Sequence, residues 1–70
     1  MNFPEKLTHE VARVTRLQVR YEGMRGLPQV NVEPVLALIR ASLSRAFVAI
    51  SEGDIAAQAL ALADLEGYRE

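Results

Sequence analysis

Lys6, His9, Arg13, Arg16 and Arg20 recur at steps of three, four, three and four residues. On a helix that spacing lines all five along one face. Such a face has three uses. It can neutralise the phosphates of a nucleic acid with salt-dependent affinity, pair with acids elsewhere in the fold or in a second subunit, or remain a hydrated surface. Glu10 can pair with Lys6 or Arg13 inside the helix, whereas Arg16 and Arg20 find no acid three or four residues away in either direction. They are each other's like-charged neighbours, which costs roughly a few tenths of a kcal/mol. Only Tyr21 offers a nearby aromatic ring, so the stripe is not a stacking platform for single strands.

Other chemistry finds less support. His9 is the only histidine, and no serine or cysteine is spaced to form a nucleophile–base pair with it. Glu5 and His9, four residues apart, supply two metal ligands, which do not complete a site. There is no cysteine, so disulfides and thiolate metal centres are excluded. No phosphate-binding glycine loop of the nucleotide-binding type occurs. Neither an enzyme nor a cofactor is expected.

Two short stretches imitate binding motifs. "SRAFVAISEGDIAAQALAL" has helix-turn-helix spacing, with Ala49 four residues before Gly53. Its second helix would offer alanines and Gln58 to base edges, and Glu52, Asp54, Asp64 and Glu66 would repel phosphate. The same turn resembles the loop of tetratricopeptide-type repeats, but a single hairpin does not build a solenoid. "GMRG" has the glycine spacing of a KH-type backbone clamp. Pro28 then stands where that fold continues a helix.

The elements that carry these residues follow from periodicity and caps. Leu7, Val11, Val14, Leu17, Tyr21 and Met24 step by three and four, which predicts a helix over about 4–23 with Gln18 as one polar intrusion. Asn2 with Glu5 suits a capping box, and Gly23 and Gly26 end the element. A connector spans 24–33. Asn31 offers the next cap, with Pro34 in the first turn of a helix over about 34–50. Its main apolar stripe is Leu36, Ile39, Leu43, Phe47 and Ile50. Gly53 suits a left-handed helix end, Asp54 or Ser51 a cap, and a third helix runs over about 54–66 to Gly67. The short turn folds the last two helices into an antiparallel hairpin. A rival reading takes "RLQVRYE" and "QVNVE" as alternating strands, a β-hairpin around residues 16–33 within an α+β fold.

The expected fold is therefore all-α, one domain over residues 1–70, with three helices running up, down and up. That order sets helix one parallel to helix three and brings Asp64 and Glu66 level with Arg16 and Arg20. The core draws on Leu36, Ile39, Leu43, Phe47 and Ile50 with Ile55, Leu60, Leu62 and Leu65.

Half of the residues are hydrophobic, yet a chain of this size hides only about 60% of its surface on folding. With no disulfide or metal to stabilise it, a homodimer is expected, with Val35, Leu38 and Val48 as its interface. Net charge is −1 and unevenly spread. Residues 1–26 hold five basic residues against Glu5, Glu10 and Glu22, while residues 27–70 hold Arg40, Arg45 and Arg69 against six acids. No signal peptide is visible and no uncharged stretch approaches the roughly 20 residues needed to span a bilayer. The expectation is a cytoplasmic, self-associating protein-interaction module. The alternative is a nucleic-acid-binding accessory protein using Lys6, His9, Arg13, Arg16 and Arg20.

Overall fold

A computed structural model describes residues 3–69. It contains three helices, α1 (Phe3–Glu22), α2 (Glu33–Glu52) and α3 (Ile55–Glu66), each packed against the other two. No strand occurs among the described residues, and residues 16–22 lie within α1, so the hairpin alternative is overturned. The apolar steps of α1 explain why. Leu7, Val14 and Leu17 are buried, and Val11 and Tyr21 pack against the same core. The period-two pattern would instead bury Val19 beside Leu17 and Tyr21, whereas the helix leaves Val19 62% exposed. The β-branched threonines fit the helix because their hydroxyls donate back one turn, Thr8 to the carbonyl of Pro4 (2.8 Å) and Thr15 to that of Val11 (2.7 Å).

The predicted boundaries hold to within two residues at each end. The Asn2 cap lies outside the described residues. Asn31 does accept a backbone hydrogen bond, from the N–H of Glu33 at 3.2 Å, but the N-cap position itself is Val32. Val32 is right-handed rather than extended, and it is buried. The connector closes through successive turns, with Gly26 at φ 91°. Arg25 then bridges across it to Glu33 at 2.6 Å.

Gly53 ends α2 at φ 66°, and its N–H reaches the last carbonyls of that helix. Asp54 caps α3, its Oδ1 accepting from the N–H of Ala57 at 3.1 Å. Gly67 also stops α3, but in a right-handed conformation. The chain leaves through a tight turn that lets the Tyr68 hydroxyl meet Ser42 Oγ at 2.9 Å.

The core of α2 departs from the expected stripe. Leu36, Ile39 and Leu43 are buried, but Ser42, Ala46 and Ala49 complete the inner face, and Phe47 and Ile50 lie outside it. Small side chains allow close helix approach, and Ser42, Ala46 and Ala49 fill one half of the buried arc while Leu36, Ile39 and Leu43 fill the other. In α3, Leu62 and Leu65 are core with Ala61 and Gln58, while Ile55 and Leu60 are exposed.

The molecule is a slender rod, 42 × 18 × 16 Å in extent. Its radius of gyration is 13.0 Å, against about 11 Å for a typical compact chain of this length. By length and composition α2 is apolar enough to cross a bilayer, with mean hydropathy 1.4 over its best window. It also carries Arg40 and Arg45, and its inner face is used in packing.

Candidate interaction surfaces

The basic stripe of α1 divides into parts. Arg13 is committed to the fold, with Nε donating to Glu10 Oε2 at 2.6 Å and Nη2 to the carbonyl oxygen of Leu65 at 3.0 Å. A cation at the carbonyl end of α3 is favoured by the orphan acceptors there. Glu10 is thereby taken by Arg13 rather than Lys6. Lys6 and His9, with Glu5, Glu10, Leu62 and Glu66, line a shallow hollow of about 360 Å³ between α1 and α3. Three carboxylates share that hollow with one lysine, so it is not a polyanion site.

Arg16 and Arg20 are exposed, and among the described residues no hydrogen bond or ion pair engages them. The expected match with Asp64 fails. Asp64 pairs with Arg45 at 3.0 Å, because Arg45 projects from α2 toward α3 and reaches it first. Arg45 also donates to Ser42 Oγ at 3.2 Å, and so joins the Ser42–Tyr68 contact.

The second surface is apolar. A groove of about 380 Å³ runs between α2 and α3, with Ala49, Ala57 and Ala61 among its lining and Val48 and Leu60 beside them. Arg45, Asp64, Ser44 and Glu52 supply its polar edge. Leu60 is 74% exposed and Val48 52%. Leu38, 61% exposed, lies two turns before Arg45 on the same side of α2 and continues the strip. Of the three residues expected at a dimer interface, Leu38 and Val48 are therefore on the surface. Val35 instead packs against the core.

The alternation "ALALA" at 59–63 already held the signal for Leu60. Two residues along a helix are a turn of about 200°, so Leu60 and Leu62 cannot face the same core. Phe47, Ile50 and Ile55 are further exposed apolar residues toward the α2–α3 turn.

Two polar features complete the inventory. Gln58 is buried, its Nε2 donating to the Ala49 carbonyl at 3.3 Å while Oε1 has no partner among the described residues. At the connector, hydrogen bonding from Arg25 holds the Glu33 carboxyl below the usual carboxylate range, and the same bond raises Arg25. Among the described residues no three His, Asp or Glu side chains are grouped to hold a metal ion. Comparison with known protein families, with curated proteins and with solved structures finds no match.

Proposed function

We propose that this chain is a non-catalytic helical interaction module that works in the cytoplasm by associating with itself. One observation carries the proposal: Leu38, Val48 and Leu60 lie exposed along one side of the α2–α3 pair, where water is a poor neighbour for them. The accessible surface of 4747 Å² also exceeds the roughly 4,400 Å² expected of a folded monomer of this mass. The cross-helix contacts Gln58 to Ala49, Asp64 to Arg45 and Tyr68 to Ser42 favour an antiparallel α2–α3 hairpin. With Arg13 at Leu65 and Lys6 beside Leu62, the up-down-up order fits best. Sedimentation equilibrium over a micromolar range tests the reading. A concentration-dependent rise in mass is expected; a folded monomer throughout would refute it.

A second reading keeps one specific observation. Arg16 and Arg20 project without an acid partner among the described residues, while Arg13, Arg25 and Arg45 are each paired. Two such cations would contact nucleic-acid phosphates with steep salt dependence. Retardation of DNA or RNA at low salt, abolished when both arginines become alanine, would support it. No retardation at low salt would remove it.

A further inference from the structure

Beyond self-association, we infer that the α1–α2 face past the end of α3 is a docking slot for an acidic amphipathic helix of a protein partner. α3 has 12 residues against 20 in each of α1 and α2, so it runs out first. Gln58 meets Ala49, Asp64 meets Arg45 and Tyr68 meets Ser42, so the chain climbs α2 toward lower residue numbers and α3 stops short of Leu38. On α1 the end of α3 is marked by Arg13, which donates to the Leu65 carbonyl. The connector joins the far ends of α1 and α2, where Arg25 pairs with Glu33. From Arg13 to Glu22 and from Ser42 to Glu33, about 13 Å of each helix has no third helix beside it among the described residues.

Helical phase says what this slot presents. Arg13 faces α3, and Arg20 stands seven residues later, so it projects within about 20° of the same direction, two turns further on. Arg45 also faces α3, and Leu38 stands seven residues earlier, so by the same rule it borders the slot from the other side. Tyr21 and Val35, half-buried against the core, lie between these edges. Arg16, one turn before Arg20, lengthens the basic edge.

Charge selects the occupant. Arg16 and Arg20 have no hydrogen bond or ion pair among the described residues. Glu22 lies about 200° round α1 from Arg20, Glu33 is held by Arg25, and Glu66 sits in the hollow with Lys6 and His9. One edge of the slot is therefore basic and the other apolar, which complements a helix with carboxylates along one side and large aliphatic residues along the next. α3 already fits the same line between α1 and α2 in this way, turning Leu62 and Leu65 inward and giving Asp64 to an arginine. A nucleic acid would use the two arginines but gain nothing from Leu38. Two to three turns of contact make the complex weak, dissociating on the order of 0.1–1 mM.

The probe is a synthetic helix of about 12 residues, bridged between side chains to hold it helical, with leucines on one face and glutamates beside them. It is titrated at low salt into the full chain, followed by amide NMR, alongside a lysine-for-glutamate control peptide and a short DNA duplex. The acidic peptide should shift residues 16–21 and 35–38 and leave Phe47 unmoved. Leu38→Ser and the double variant Arg16→Gln, Arg20→Gln alter exposed positions, so helical circular dichroism should be retained. Each should weaken binding about fivefold or more. Absence of those shifts, or equal binding of the lysine peptide, overturns the proposal. DNA binding that needs the arginines, with a peptide affinity indifferent to Leu38→Ser, assigns the basic edge to nucleic acid instead. Shifts at the same residues on concentrating the chain alone would make a second copy the occupant and overturn it as well.

Discussion

Replacing Gln58 by methionine should make the protein more stable, and the structure sets the size of the gain. Gln58 is 3% exposed, and its Oε1 is buried without a partner among the described residues. An unsatisfied buried acceptor costs about 1–3 kcal/mol. The substitution forfeits the Nε2 bond to the Ala49 carbonyl, long at 3.3 Å and worth about 0.5 kcal/mol. The carbonyl itself is not orphaned, because the N–H of Asp54 also reaches it at 3.2 Å. Methionine matches glutamine in length and helix propensity and adapts to irregular space. The net expectation is a gain of about 1.5 kcal/mol, or roughly 6–12 °C in a chain of this size. Urea unfolding at fixed protein concentration, followed by circular dichroism, would measure it, with an unchanged slope confirming that the same surface is exposed. Gln58→Ala removes the same polar group but leaves a cavity, and should not be stabilising. A methionine variant less stable than the parent would refute the reasoning. It would mean that Oε1 is satisfied in solution, by a water molecule or by another chain.

Further outcomes follow from the caps and the connector. Asp54→Ala removes the acceptor for the Ala57 N–H and should cost about 1 kcal/mol in urea unfolding; a neutral result would mean that α3 starts without its cap. The Glu33 carboxyl titrates below the ordinary carboxylate range because Arg25 donates to it. Its contribution is therefore present above that range and lost as pH falls through the lowered folded value. Carbon-detected NMR titration should show the depressed midpoint and its return toward normal in Arg25→Gln. Since both side chains are largely solvated, the effect on global stability should be small at any pH.

The local grammar of the chain was legible from residue types alone. Asp54 as a cap, Gly53 as a left-handed helix end and the stop at Gly67 depend on interactions within one turn of backbone, so nearby residues suffice to place them. The inner face of α1 was legible too, since Leu7, Val14 and Leu17 stand among charged neighbours that cannot be buried with them. The candidate surfaces were less so. Spacing grouped five basic residues, but only packing revealed that Arg13 belongs to Glu10 and the end of α3 while Arg16 and Arg20 stay open.

In α2 and α3 apolar residues occur around most of the helix circumference, and spacing then offers several faces of similar hydrophobicity. Which face turns inward is decided by how closely three axes approach. That selected Ala46, Ala49 and Ala61 for the interior and left Phe47, Ile50 and Leu60 outside. By itself, then, the sequence determined three helices, their ends and one buried stripe, because caps and amphipathic spacing act within a helix. Only the tertiary structure decided which apolar side chains form the core and which the exposed strip, because burial is a property of neighbours that lie far away along the chain.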